Sequence, residues 1–533
     1  MTTDAAGTVA RAGSRARWVL LAASLLLVAV PFLVVSFPPS TDLPQCVAQI
    51  RLLGEVLGGR APELQVNWLG PGNAAYALVA LAWLLLPPLE VGRAVLLVLA
   101  LAWVGSAFWL AGRRGRPWEA AVLAAVLIFD SSLYWGFLPF LIGWPCFALW
   151  LQVTDRALAS GAPAEAAARH PGRELAVLGA AALALYASHS LWFLAGVAWV
   201  GLLVLRRRPA CPRLALLGLS LAPCLLAAAV WYPSLIAQRS SAGFDLAPHW
   251  FVLPHLRLDP RWLLAAALDR PPGSSAVLAG LAMLGWAAAS LWSRRRELAK
   301  ATDVMLLGAA ALLLALALLV PDKHVNTILL AERWVPCGFA LVLIGLPAPD
   351  LRPALLRLGV LGLLCTYSTT TAAAWSLHEQ EELSGLRPAL RVLPPAPRVL
   401  GLDFVKHSEH VPGRPFLQLA AYAQVLQGGE LGFSFAEHSS GLVSYKQRRA
   451  KGWTPGLEWH AEQLRPADMT HFDHLLVNAA PALHERIAAL PDVEPVTTAG
   501  RWRLYRLEPS LVPSGATLPG AGGATGGVGP AGR

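Results

Sequence analysis

Phe37-Pro38-Pro39-Ser40-Thr41-Asp42-Leu43-Pro44-Gln45 is the stretch that decides how this chain is read. It follows at once on residues 18–37, an apolar run with no charged residue. A run of that length crosses a bilayer as a helix. Arg11, Arg15 and Arg17 precede it. The positive-inside bias therefore puts the N-terminus, residues 1–17, in the cytoplasm. Asp42 then emerges on the outer face, a few residues past the membrane surface. An acid held there is the first place to look for chemistry.

Working outward, the whole composition agrees with a membrane protein. Of 533 residues, 56% are hydrophobic and 14% charged, against about 25% charged in soluble domains. The chain is expected to be a polytopic α-helical membrane protein. Its formal charge of +10 reflects 43 Lys+Arg against 33 Asp+Glu. Much of that excess sits in short loops between apolar runs, where it sets orientation, so no nucleic-acid partner is expected. The 21 Trp suit two interfacial belts. The first run is longer than a signal-peptide core and no A-x-A site follows, so it reads as a retained anchor. The six Cys show no paired spacing, and none falls in residues 376–533, so no disulfide framework is expected there.

Beyond Asp42, Val47, Ile50, Leu53 and Leu57 recur at helical spacing, with Gln45, Gln49, Arg51 and Glu55 between them. That predicts an amphipathic helix lying along the outer interface, ended by Gly58-Gly59. The outer loop spans residues 38–73. Residues 74–86 are apolar but short, and read either as a re-entrant piece or as a crossing. From residue 94 the apolar runs alternate, and the arginine clusters at 113–116, 206–208 and 294–296 all fall inside. Residues 118–129 read as an outward run ending at Asp130, and 232–273 as a long outer loop. The total is about eleven crossings within residues 18–375. Residues 376–510 change character and predict an extracytoplasmic α/β module. Strands are expected at 398–405, 474–477 and 501–507, and helices at 416–426 and 482–490. The Gly/Ala/Pro-rich tail, 511–533, reads as disordered.

This layout resembles the C-type membrane glycosyltransferases, among them the protein O-mannosyltransferases, the lipid A aminoarabinose transferases and the bacterial oligosaccharyltransferases. Asp42 matches their first-loop catalytic acid, and Asp130 resembles a second acid found in some members. Phe472-Asp473-His474-Leu475-Leu476-Val477 followed by Trp502-Arg503-Leu504-Tyr505 looks like the closing part of the outer module in bacterial members. The resemblance implies an enzyme of the cell (inner) membrane. It would take a sugar from a polyprenyl-phosphate or polyprenyl-diphosphate carrier and pass it to a glycan, lipid or protein acceptor outside the cytoplasm. Asp42 is followed by Leu43 where the mannosyltransferases carry Glu, which leaves the sugar open, and whether a divalent metal takes part stays open too.

Each candidate residue has a plainer reading. Asp42-Leu43-Pro44-Gln45 fits a capping box, with Asp42 capping the next helix and Gln45 reaching back. Asp130 equally reads as a helix-end residue in water. Arg333, Arg257 and Arg239 compete as clamps for the carrier phosphate, because a guanidinium matches phosphate oxygens bidentately. The plainer reading of Arg333 is a local ion pair with Glu332. His189, His249, His255 and His324 match no metal signature and read as interfacial or packing residues, and His407, His410, His438 and His471 are equally unpatterned. A transporter or flippase, or a non-catalytic envelope scaffold, are the competing functions.

Overall fold

The computed structural model describes residues 3–158, 171–241, 243–268, 275–437, 441–447 and 451–508. The tail expectation for 511–533 and His438 lie outside the described residues. The chain begins with α1 (Thr3–Leu33), α2 (Leu43–Leu57) and β1 (Leu64–Val66). Then come α3 (Asn73–Leu85), α4 (Pro88–Arg113), α5 (Trp118–Val126), α6 (Ser131–Trp135) and α7 (Leu138–Ala157). Next are α8 (Pro171–Ser188), α9 (Ser190–Arg207), α10 (Cys211–Ser241), α11 (Pro260–Leu268) and α12 (Ser275–Ser293). The bundle closes with α13 (Val304–Leu319), α14 (Trp334–Gly345) and α15 (Pro353–Leu377).

Among the described residues five helices, α1, α4, α9, α10 and α12, are long and apolar enough to cross a bilayer, and α3, α13 and α14 are shorter apolar helices. This is a multi-pass membrane protein. The run expected to cross at 118–129 does not do so as one helix. α5 has nine residues, and all from Ala120 to Val126 are buried. At about 1.5 Å per residue it spans less than half of a hydrocarbon core about 30 Å thick. It packs inside the bundle against α4, α15, α14 and α1.

The arginine-bearing loops gather at one end. Arg114 pairs with Asp155 at 2.6 Å, and Arg207 pairs with the same carboxylate. Arg116 donates to the carbonyls of Ala301 at 2.9 Å and Gly345 at 2.8 Å, capping helix ends with a cation.

After α15 the chain forms α16 (Leu386–Arg391), β2 (Arg398–Asp403), α17 (Ala421–Gln427), β3 (Glu430–Leu431) and β4 (Val443–Tyr445). It continues through β5 (His474–Asn478), α18 (Pro481–Ala488), β6 (Val493–Pro495) and β7 (Trp502–Leu507). The five-stranded sheet runs β3-β2-β5-β7-β6. β2 is parallel to β3 and β5, and β7 is antiparallel to β5 and β6. Every residue of β5 is buried, which is why it reads Leu-Leu-Val without alternation. The helix expected at 416–426 begins only at Ala421.

The amphipathic helix is not simply laid on the interface. Gln45 and Gln49 are 2% and 1% exposed. Gln45 donates to Gln418 Oε1 and to the Phe433 carbonyl, both at 3.0 Å, and accepts from Phe435 N–H at 3.0 Å. Gln49 accepts from Val443 N–H at 2.7 Å. Polar groups that deep need partners, and α2 finds them in the C-terminal region. β1 adds an antiparallel ladder with β4, Leu64 opposite Tyr445. The first loop is thereby stitched to the C-terminal sheet region.

Candidate functional site

The segment 40–42 is laid over the turn at 131–136 by its backbone. Thr41 N–H donates to the Tyr134 carbonyl at 2.8 Å and Asp42 N–H to the Trp135 carbonyl at 2.9 Å. Ser40 Oγ donates to the Leu133 carbonyl at 2.8 Å. This approach requires Gly136. Its φ is 75°, in the left-handed region, and a Cβ there would meet Leu43 N at 2.9 Å and Asp42 N at 3.0 Å. Gly136→Ala should cost about 1–3 kcal/mol and displace Asp42. A fall in thermal midpoint with a matching loss of activity checks this, and an unchanged midpoint would refute it.

Asp42 is the N-cap residue of α2 by position only. Its side chain makes no capping hydrogen bond. The expected capping box does not form because Gln45 is engaged by the C-terminal region and the Asp42 N–H is taken by Trp135. Asp42 enters no ion pair found among the described residues. Part of its surface stays accessible, yet it lies deep in the protein. That burial pushes its carboxyl up to about 7, with Arg333 pulling it partly back.

Asp130 is 1% exposed, not a solvated helix end. Its Oδ1 accepts from Leu133 N–H at 3.0 Å and caps α6. Aromatic rings pack nearby: Trp375 Nε1 donates to Tyr134 Oη at 3.4 Å, and the Trp375 and Phe32 rings meet edge-on at 5.1 Å.

Arg333 stands just before α14 and is 3% exposed. Its guanidinium carbon lies 3.7 Å from the Phe137 ring centroid, and its Nη2 donates to the Ile328 carbonyl at 2.6 Å. Its Nε is buried with no hydrogen-bond partner. Burial lowers its proton affinity to about 9, while the charges of Asp42, Asp130 and Glu332 oppose that, so it stays a cation at neutral pH. The loop leading to it holds Val325, Asn326 and Leu329 at φ values of 49°, 54° and 54°. Such backbone is strained for residues with a side chain, and strain of this kind concentrates at functional sites.

The structure therefore brings Asp42, Asp130 and Arg333 into one electrostatic group. It does not bring in the other two arginines. Arg257 is fully buried: its Nε donates to the Val252 carbonyl at 2.9 Å and its Nη1 to the Ala317 carbonyl at 3.0 Å, while its Nη2, without a hydrogen bond, is ion-paired to Asp322 at 3.0 Å. Arg239 donates to the Val325 carbonyl and, at 3.1 Å, to Thr327 Oγ1. Arg333, not Arg257 or Arg239, is the cation acting on Asp42. Arg257→Met should destabilise by about 3–5 kcal/mol, since it strips a buried acid of its partner. Thermal unfolding of that variant checks this, and an unchanged midpoint would overturn it.

In the sequence His189 reads as an interfacial or packing residue. Its Nδ1 accepts from Leu191 N–H at 3.0 Å and caps α9, which leaves the proton on Nε2. Its ring sits 5.8 Å from Phe140, which also lies 5.7 Å from the Arg333 guanidinium carbon. Burial, with Arg333 adding to it, lowers its proton affinity to about 3. It is a neutral hydrogen-bond donor. The signal was a polar Ser-His-Ser turn between two apolar runs. Among the described residues no group of three or more His, Cys, Asp or Glu could hold a metal ion.

No protein-family model matches the sequence, and no curated protein matches it. Solved structures do. ArnT from Cupriavidus metallidurans in the apo state aligns with a TM-score of 0.52 at 12% identity, covering 93% of this chain and 98% of that one. The same protein bound to undecaprenyl phosphate aligns with a TM-score of 0.48 at 12% identity, covering 91% and 97%. ArnT is an aminoarabinose transferase of the GT-C glycosyltransferase family. The likeness is one of fold, and it extends over almost the whole chain.

Proposed function

We propose that this chain, which shares its fold with a GT-C membrane glycosyltransferase, moves a sugar from a polyprenyl-phosphate or polyprenyl-diphosphate carrier to an acceptor hydroxyl outside the cytoplasm. One observation carries the reading. Asp42 is a carboxylate not used by its own helix, placed in the field of a buried arginine whose Nε lacks a protein partner. In this reading the N-terminus is cytoplasmic and residues 376–510 form an α/β domain on the outer side of the cell membrane. The acceptor is a glycan, lipid or protein.

Asp42 acts as general base on the acceptor hydroxyl. A base with proton affinity near 7 is well matched to that task at neutral pH. Arg333 faces the negative charge that builds on the departing lipid phosphate, in surroundings where such a charge is worth more than in water. Asp130 holds α6 in place and helps keep Arg333 protonated. His189 offers a neutral N–H to the same phosphate. The apolar helices hold the carrier tail beside the site.

The test is to supply the purified full chain with a panel of polyprenyl-phosphate sugars and envelope acceptors, and to detect transfer by mass spectrometry. Transfer from at least one donor is expected. Folded protein that transfers from none would overturn the reading. A base works only when deprotonated, and the Asp42 carboxyl is raised to about 7. The rate should therefore rise with pH through about 7 and fall roughly tenfold per unit below it. A rate independent of pH between 5 and 8 would exclude Asp42 as the base.

A further inference from the structure

Between the later turns of α2, the strand β1 and the β3 edge of the sheet lies a cleft of about 1030 Å³. That is at the upper end of the size of small-molecule sites. It is separate from the Asp42 group: Arg51, which lines it, lies nine positions along α2 from Asp42, about 14 Å at helical rise. The lining mixes apolar surface with charges of both signs. Arg51, Arg60, Arg398 and Lys446 face it with Glu55, Glu63 and Glu430. Much of that charge is already matched within the protein. Arg51 pairs with Glu55 at 3.3 Å, Arg398 with Asp473 at 2.6 Å, and Glu430 with His471 at 3.3 Å. A highly charged ligand would have to break these pairs, and a neutral one would not.

Gln424 shows what kind of neutral ligand fits. It lines the cleft and is 3% exposed. Its Nε2 donates to the Gly429 carbonyl at 2.8 Å, and its Oε1 is buried with no partner. A buried acceptor without a donor costs stability until something supplies one. A hydroxyl supplies one, and an anion does not. A sugar carries many hydroxyls, each able to donate to a carboxamide or carboxylate and to accept from a guanidinium.

We propose that this cleft binds a neutral saccharide, the distal units of a glycan whose reacting hydroxyl lies at Asp42. The assignment rests on the glycosyltransferase reading and names its acceptor as a glycan. Because β1 and α2 form one wall, the bound chain runs along the helix that begins at the catalytic acid. Gln424, once its enclosed Oε1 turns toward the cleft, is the residue that takes a sugar hydroxyl, and the paired charges set the preference for an uncharged chain.

The experiment uses the full chain in detergent, neutral manno- and gluco-oligosaccharides of one to seven units as probes, and saturation-transfer NMR with titration. Affinity should rise with length, and Gln424→Leu and Arg60→Ala should each weaken it at least tenfold. Arg60→Ala on the cleft wall keeps the test valid if the Gln424 variant fails to fold. Flat responses for every saccharide, or saturable binding of an extended peptide in their place, would overturn the proposal. So would lipid-linked sugar transfer that depends on Asp42 but ignores both cleft variants, which leaves the glycosyltransferase reading standing. Length-dependent binding without any transfer would instead keep the cleft and remove that reading.

Discussion

Asp42→Asn should leave the chain folded in the membrane and slow sugar transfer by about a hundred- to ten-thousand-fold, the range for loss of a general base. The fold is expected to survive because the side chain contributes no cap bond to α2. The usual loss of about 0.5–2 kcal/mol on removing a capping side chain therefore does not apply. Asp42→Ala should accordingly be as stable as Asp42→Asn, which makes both variants informative. The charge argument points the same way. Burial raises the carboxyl from 3.8 to about 7, so the folded state binds a proton more tightly than the unfolded one. Stability from this group is greatest when it is protonated and declines as pH climbs from about 4 towards 7. A neutral residue removes that decline, so the variant should unfold no earlier than the native chain at pH 8. Initial transfer rates and thermal midpoints, measured on the same preparation, check both halves. An Asn variant of full activity would remove Asp42 from the chemistry.

How much of this was legible beforehand depends on where each feature gets its stability. The first span and α2 show in the sequence because their apolar spacing is local: residues 18–37 without a charge, then Val47, Ile50, Leu53 and Leu57. β2, β5 and β7 are legible to within a residue or two because each is five or six residues long and mostly apolar, β5 being buried throughout. β1, β3 and β4 were not visible, since two or three residues form a strand only when a distant partner supplies the ladder. The same division holds in the site. Asp42 stood out by its place after the first span. That its carboxylate is unspent depends on its N–H going to the carbonyl of Trp135 and on Gln45 facing Phe433 and Phe435. The three outer arginines looked alike in sequence. They differ only through what surrounds them, and Arg257's partners are mainly backbone carbonyls that no motif records.

Arg333→Met should lower the transfer rate by about 10²- to 10³-fold, comparable to removing one donor that stabilises transition-state charge. Met fills much of the volume against Phe137 without leaving a buried charge of its own. If Arg333 only packs there, the variant should keep its activity. A second readout separates the two roles. Arg333 lowers the proton affinity of Asp42, so its removal must raise it further. The acid limb of the pH–rate profile should move upward from about 7 in the Met variant. Arg333→Lys keeps the charge but loses the planar fork. It should hold the acid limb near its native position while still losing rate, because a single ammonium cannot bridge two phosphate oxygens as a guanidinium does. A Met variant with a reduced rate and an unmoved limb would mean that Arg333 does not act on Asp42. With native activity as well, Arg333 would be a packing residue. The two variants thus report on one pair of charges from opposite sides, and only a working Asp42–Arg333 couple predicts that rate and limb respond together to Met but separately to Lys.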